Sequence, residues 1–468
     1  MTPVPSFPCR RIAVPFLLAL ACWGAGCSAV PGKQGGGDAD IYAAYTVEGA
    51  AGSLSARVLT RAAACPAVDL DGRQEAMRVR APAETVPVRS GGAQPDAKPA
   101  AFPLLTCELD IASGVRHARV GQHALALPVQ APRRIVVIGD TGCRLKQSDG
   151  QFQSCLDNAS WPFAQVARSA AAAKPDLVIH VGDFHYRESP CPAAEAGCAG
   201  SPWGYGQDTW SADFFDPART LLASAPWVFV RGNHETCTRA GQGWFRFLDS
   251  GAWGPERSCN DPAHDAQADF SPPYAVPLGG DTQLIVFDSA MSGGKAYPAT
   301  APAYRVYAAQ LEQVDRLAAQ AGHSIFLSHH PVLGLAPGKD GGAKPSGLGL
   351  PSVMRGLHPG TLFSPGVELA VHGHVHLFEA LSFETGHPAT LVAGNSGSLA
   401  EGALPAHLEN PRLPFDDTLI NDFATRTGFG FALLERTGEH WNITEYDQDG
   451  VALIGCTLER RTLKCARI

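Results

Sequence analysis

Charge is scarce in this chain. Asp, Glu, Lys and Arg make up 18% of its 468 residues, and the formal net charge is −8. No block of basic residues stands out. That argues against a nucleic-acid partner, because phosphate backbones are gripped by clustered Lys and Arg. No pair of cysteines has CxxC spacing, so a zinc ribbon is not expected. No internal repeat is visible. Beyond the N-terminus, no apolar run reaches the roughly 20 residues that a membrane-spanning helix needs. What remains is a chain with 45% hydrophobic residues, able to bury a large core, and rich in Gly (50) and Pro (37), which implies many loops. Its length suits one large domain plus a smaller one.

Residues 1–27 read as an export signal. Arg10-Arg11 precede an apolar stretch from Ile12 to Trp23, and Gly24-Ala25-Gly26-Cys27 follow. Cys27 resembles the lipidated cysteine of a bacterial lipobox, although Gly24 stands where Leu is usual. Cys22 after Ala21 is a second candidate, and plain secretion is the alternative. The expected setting is the bacterial periplasm or outer envelope, with membrane contact only through such an anchor. Residues 28–40 read as a tether. Three of the 13 cysteines lie in the signal region, and the other ten fall into neighbouring pairs. In an exported chain these predict five local disulfides, 65–107, 143–155, 191–198, 237–259 and 456–465.

Residues 41–131 show short alternating segments broken by Gly and Pro, and read as a small β-rich module, with Gly91 to Pro103 as a long loop. From 132 to 468 the texture changes to apolar runs alternating with helical stretches. The runs are Ile135–Ile138, Leu177–Val181, Trp227–Val230, Leu284–Phe287, Ile325–Leu327, Glu368–Val371 and Thr390–Val392. Helices are expected over Asp157–Ala173, Ala212–Ala223 and Ala308–Ala321, and strands again over Phe429–Leu434, His440–Tyr446 and Val451–Cys456. Gly334 to Leu350 reads as a mobile loop.

Nearly every apolar run ends in residues that can bind metal. The runs lead into Asp140-Thr141-Gly142, Gly182-Asp183-Phe184-His185-Tyr186, Gly232-Asn233-His234-Glu235, Ser328-His329-His330 and Gly373-His374-Val375-His376. In α/β folds, sites form just beyond the carboxyl ends of strands. In an extended segment residues i and i+2 share a side, so His374 and His376 can face one pocket. A Gly-Asp turn alone is common. Five such groups in order are not.

These blocks resemble those of the calcineurin-like metallophosphoesterases, and within them the purple acid phosphatases: Asp-x-Gly, Gly-Asp-x-x-Tyr, Gly-Asn-His-Asp/Glu, a strand-end His, and Gly-His-x-His. The likeness covers about residues 133–400. Gly142 and Tyr186 are the discriminating pair, since other branches carry Asp-x-His in the first block and lack the tyrosine. The resemblance implies an α+β fold, a four-layer α/β/β/α sandwich with the metals at one edge. It implies an Fe(III) held by Asp140, Asp183, Tyr186 and His376. A divalent Zn, Mn or Fe would be held by Asp183, Asn233, His329 and His374, with Asp183 bridging. A free phenol has a pKa of about 10, which a hard trivalent cation can overcome. The implied activity is hydrolysis of a small phosphate monoester, with a metal-bound hydroxide attacking phosphorus in line and an acid optimum.

His234, outer-sphere in that family, is the candidate to touch phosphate or protonate the leaving group, alongside Asp183 in the catalytic set. His330 either faces the pocket or caps the loop before Pro331, and His185 is a candidate for the entrance. His180 reads as a core histidine, His372 as structural, and Glu235 as a buried hydrogen-bond partner. Two other functions fit the sequence: an exported phosphodiesterase using the same centre, and a surface lipoprotein in which the fold has become a binding module.

Overall fold

Two sheets carry the chemistry-bearing loops. A computed structural model of the chain describes residues 38–89, 97–413, 418–438 and 440–468, all within the unit Gly35–Ile468. The expected signal (1–27), Cys27 and most of the expected tether lie outside the described residues. Asp38–Asp40, at the tether's end, forms a short 3-10 turn.

In the first sheet the parallel strands Arg134–Ile138, Leu177–His180 and Trp227–Phe229 lie side by side. In the second, Thr282–Val286, His323–Leu327, Val367–His372 and Ala389–Ala393 run parallel in that order. Alternation along each strand explains the layering. Ile135 and Val137 point between the sheets, where they meet Leu284, Ile325, Leu369 and Val371. Val136 and Ile138 point the other way, against Phe163 and Val166 of the helix Phe163–Ala172. The second sheet's outer face packs Ile285 and Phe326 under Leu311 and Val314 of Pro302–Ala318 and Val353 of Gly349–Leu357. The result is helix, sheet, sheet, helix, as the family resemblance implied. Because each set of strands is parallel, their carboxyl ends gather at one edge.

The residues expected to form a small β-rich N-terminal module are β-rich and pack a cluster of their own around Val58, Val68, Cys107 and Val120, and part of them extends the first sheet. Ile41–Glu48 pairs in parallel with the catalytic sheet through Val47 and Trp227. Leu54–Thr60, Leu105–Ile111 and Arg78–Ala81 continue the sheet outward to a total of 11 strands. Buried arginines cement the join. Arg57 donates to the carbonyls of Phe247 and Asp249, and Arg80 to those of Phe245, Asp249 and Gly251. The boundary expected at 131/132 is therefore not a sheet boundary.

Other expectations shift locally. Residues 157–162 form turns, and the helix starts only at Phe163. The stretch 212–223 is not one helix but a π-turn, Ser211–Phe215, followed by Arg219–Leu222. Gly334 to Leu350, expected as a loop, holds the hairpin Leu335–Pro337 with Ala343–Pro345 and the start of the helix Gly349–Leu357. In the expected loop from 91 to 103, Ala100–Phe102 forms a strand with Glu84–Val86.

All five predicted disulfides are formed. That number marks a protein that folds in an oxidising compartment. Among the described residues no helix is long and apolar enough to cross a membrane.

Candidate dinuclear metal site

At the shared strand edge, seven side chains converge in two overlapping groups. The Tyr186 hydroxyl lies 3.0 Å from Asp140 Oδ1, 2.9 Å from Asp183 Oδ2 and 2.8 Å from His376 Nε2. His376 Nε2 is also 3.2 Å from Asp140 Oδ1. In the second group, His329 Nε2 lies 3.2 Å from the same Asp183 Oδ2 and 3.1 Å from Asn233 Oδ1, which is 3.1 Å from His374 Nδ1. Asp183 Oδ2 thus belongs to both groups. Asp183, His329 and His374 present their ligand atoms within 4.8 Å of one another.

The backbone is bent to aim them. Asp140, Asp183 and His374 all have left-handed φ, at 54°, 58° and 70°. Such conformations cost about 1–3 kcal/mol each and persist only where surroundings enforce them. Two buried acids hold the loops that carry Asp140 and Asp183. Glu235 Oε1 accepts from the amides of Phe184 and His185, and its Oε2 from those of Asp183 and Gly232. Asp213 Oδ2 accepts from the amides of Tyr186 and Arg187, and its Oδ1 from Cys143. Gly142 is needed where the tyrosine loop passes: a Cβ there would sit 2.8 Å from Tyr186 N and Phe184 O. The two residues that discriminate the family branch are therefore in direct contact.

In four of these side chains the second polar atom is also tied. Asp183 Oδ1 accepts from the His234 amide at 2.8 Å, and Asp140 Oδ2 from the His374 amide at 2.9 Å. His376 Nδ1 donates to Leu399 O at 2.6 Å and His329 Nδ1 to Val181 O at 2.8 Å. That leaves both Nε2 lone pairs directed inward, the outer-shell arrangement of metal-ligating histidines.

The electrostatics point to cations. Burial and the carboxylates of Asp183 and Asp140 push the Tyr186 phenol well above its ordinary pKa. Burial works to lower His329, but Asp183 overcomes it and raises the imidazole to about 9. Hard oxygens on one side and imidazoles with an amide on the other are donors that suit two metal ions. The residues fit a dinuclear centre.

His234 packs on Tyr186, with ring centroids 3.9 Å apart, and its Nε2 is 3.8 Å from Asp183 Oδ2. Burial and then Arg239 lower its pKa to about 4. His330 packs on His374 with the rings tilted by 40° and centroids 4.2 Å apart, and lines a cavity of about 230 Å³ with Asn233 and His374. A larger cavity of about 520 Å³ lies at the C-terminal strands near Leu404 and Ile468, without any of these residues, and has no bearing on the chemistry.

His185 is a correction. It does not line the entrance: it is fully buried, with its ring 5.5 Å from that of Tyr205 and 5.9 Å from that of Trp210. The left-handed turn at Asp183 sends residue 185 to the back of the loop. His180 is a core histidine, stacked on Phe184 and 3.0 Å from Thr141 Oγ1, and Glu235 is a hydrogen-bond partner, both as expected. Sequence reasoning missed Asp213, Glu188, Arg239 and Arg144. Arg144 Nη2 sits 3.4 Å from His376 Nε2, and its Cζ lies 5.1 Å from the Tyr186 ring centroid. Glu188 and Arg144 lay two residues past Tyr186 and Gly142, and Arg239 four past Glu235, whereas Asp213 lay beside no motif.

The family model described as calcineurin-like phosphoesterase matches residues 133–378, just over half of the chain. The chain belongs to the calcineurin-like phosphoesterases. Among solved structures, this phosphoesterase is similar to purple acid phosphatase PPD1 from seeds of yellow lupin (Lupinus luteus), with a TM-score of 0.51 and 15% identity. The match covers 91% of this chain and 74% of that one. It is also similar to PhoD, at a TM-score of 0.49 and 11% identity over 91% of both chains. A dimetal phosphatase from Danio rerio matches at a TM-score of 0.39 and 12% identity, over 70% of this chain and 99% of that one. At such identities the likeness speaks for the fold alone. No curated protein sequence matches the chain. Family membership makes it a phosphoric ester hydrolase with a dinuclear metal centre.

Proposed function

We propose that this phosphoesterase is an exported phosphomonoesterase of the purple acid type. Fe(III) would be held by Asp140, Asp183, Tyr186 and His376, and Zn, Mn or Fe(II) by Asp183, Asn233, His329 and His374. The observation that carries the reading is the Tyr186 hydroxyl, within 3.0 Å of two carboxylates and an imidazole. When bound, the two cations would bring the pKa of a coordinated water toward or below neutrality and offset charge on the phosphoryl oxygens.

The chain's own residues do the rest. Tyr186, Asp140 and His376 are fully buried, whereas Asn233 and His374 are half-buried, so substrate meets the site from the Asn233 side. The adjoining cavity is small and lined by Ser292, Gly293, Gly294, Ser346 and Gly347, with no basic side chain and no aromatic ring other than its two histidines. That favours a compact, uncharged leaving group over a nucleotide, and a monoester over a diester. His234 Nε2, at the edge of the site, is placed to hold or deliver a proton at the leaving oxygen. The convergence of all seven ligand side chains argues against a binding module that has lost its chemistry. Export through the N-terminal signal, with Cys27 as a lipid anchor, agrees with the five disulfides.

The test is the visible spectrum of the purified, oxidised protein with metal analysis, alongside hydrolysis of 4-nitrophenyl phosphate and bis(4-nitrophenyl) phosphate across acid and neutral pH. A purple band, one iron per chain and preference for the monoester are expected. A colourless protein with two zinc or manganese ions overturns the purple acid assignment, and preference for the diester overturns the substrate class.

A further inference from the structure

Three glycines in the wall of the small cavity beside Asn233 and His374 are not there for the backbone's sake. Gly293 and Gly294 follow Ser292 on one loop, and Gly347 follows Ser346 on another. None has the left-handed φ that favours glycine. A Cβ at Gly294 would meet nothing within 4 Å. One at Gly293 would meet only the Tyr297 hydroxyl, at 3.5 Å, and one at Gly347 only Gly293 O, at 3.8 Å. Nearby Gly349 is the contrast: its Cβ would fall 2.6 Å from Gly293 O, so packing alone demands glycine there. An ordered glycine costs more conformational entropy on folding than alanine does. At 293, 294 and 347 that cost brings no backbone or packing advantage, and what it leaves is open space.

The space is also held at a fixed width. Gly293 O accepts from the Gly349 amide at 3.0 Å, at the start of the helix Gly349–Leu357. The Gly293 amide donates to the Tyr297 hydroxyl at 2.8 Å, and the Tyr297 amide donates to Ser352 Oγ of the same helix at 2.9 Å. Gly347 lies two residues before that helix, so both walls are tied to it. At about 230 Å³ the cavity falls below the roughly 300–1,000 Å³ of sites that take drug-sized ligands. Its lining is polar but, the histidines apart, carries no ionisable group; it offers the side chains of Ser292 and Ser346. Ser346 Oγ has no hydrogen-bond partner. A turn about its χ1 can therefore present it to a ligand hydroxyl without breaking a bond already made.

We propose that Gly293, Gly294 and Gly347 form the subsite for the alcohol half of the ester, and that their missing side chains set its size. A phosphorylated polyol of three or four carbons is accepted there, and a hexose or a nucleoside is turned away. The proposal rests on the phosphoester reading and deepens it by naming the leaving group.

The test uses the metal-loaded full chain and the variants Gly293→Val and Gly347→Val. Wild-type kcat/KM for glycerol 3-phosphate should exceed those for glucose 6-phosphate and 5′-AMP by about 10-fold or more. Methyl phosphate, whose alcohol is a single carbon, is the reference ester. In the valine variants the ratio of kcat/KM on glycerol 3-phosphate to that on methyl phosphate should fall about 10-fold or more, as for added methyl groups in a filled pocket. Metal content and the inhibition constant of inorganic phosphate, which has no alcohol half, should be nearly unchanged. Gly294→Ala should be no less stable than the wild type.

A wild type that prefers the hexose or nucleotide ester overturns the proposal. So does a ratio that does not move, or a change accounted for by lost metal or lost phosphate affinity. A clear drop in Tm for Gly294→Ala would mean that the fold itself requires glycine, and would overturn it too. If the valine variants do not fold, Gly293→Ala and Gly347→Ala take their place, with a smaller change in the same direction. If the wild type hydrolyses no ester, 4-nitrophenyl phosphate included, the phosphoester reading fails by itself. Titration calorimetry then decides the subsite. Glycerol 3-phosphate that binds the wild type more tightly than inorganic phosphate, with the difference lost in Gly347→Val, upholds it. Equal binding of the two by the wild type refutes it.

Discussion

Replacing Tyr186 by Phe separates two roles that the structure superimposes. The phenol oxygen has three neighbours within 3.0 Å, but it carries one proton and so can donate only one hydrogen bond. In the metal-free protein the substitution removes a single bond to a charged group, about 1.5–3 kcal/mol. At no more than about 2–4 °C per kcal/mol for a chain this large, the metal-free Tm should drop by no more than about 12 °C. In the loaded protein the loss is different in kind. A metal present at a thousand times its Kd stabilises the fold by about 4 kcal/mol, and Tyr186→Phe should forfeit the trivalent ion's part of that gain. Calorimetry of wild type and variant, each loaded and chelated, reads both numbers, with absorption and iron content measured on the same samples. The gap in Tm between loaded and chelated protein should shrink in Tyr186→Phe, and colour should vanish. A variant that keeps one iron per chain and its visible band would refute the phenolate assignment outright.

Other expectations follow from particular contacts. Arg144→Met should raise KM for phosphate esters and weaken inhibition by inorganic phosphate, since Arg144 Nε is buried without a partner and Nη2 sits beside His376; an unchanged KM means that Arg144 only braces the Tyr186 ring. Gly232→Ala should yield protein without bound metal, as judged by elemental analysis, because its Cβ would fall 2.1 Å from Asp183 Oδ1 and 2.2 Å from Asp183 N. Burial raises Glu48 from 4.5 to about 7. A raised carboxyl contributes stability that is complete below about pH 4.5 and is lost as pH climbs through 7, so Glu48→Gln should match the wild type near pH 4.5 and exceed it by up to about 3 kcal/mol at pH 8 in denaturant titrations. Chelation should abolish hydrolysis without unfolding the chain, and a divalent ion together with iron should restore it; activity that survives complete metal removal contradicts the site.

The ligand set was legible because each member is announced locally. An apolar run with glycines and a His or Asp at its end is a short-range signal, and parallel pairing then brings the ends together without further information. The cysteine pairs were legible for the same reason, being near neighbours in sequence. The join between Ile41–Glu48 and the catalytic sheet was not. It rests on a single parallel register, Val47 with Trp227, and on arginines reaching carbonyls more than 150 residues away. His185 misled because its place between Asp183 and Tyr186 suggests the pocket, while the left-handed turn at Asp183 points it the other way. Asp213, in the π-turn Ser211–Phe215, and Arg239, four residues past the Gly-Asn-His-Glu block, act through backbone amides or another side chain's far atom.

The loop geometry at the centre is imposed by Glu235 and Asp213, carboxylates that touch amides rather than the cluster itself. A cage whose shape is held from behind does not depend on its occupant for form. Exchanging the divalent ion for another, or losing both metals, should leave the scaffold in register while changing reactivity and Tm. In an environment where metal supply fluctuates, such a protein keeps a dormant form that can be rearmed by whichever suitable cation returns, with no refolding in between.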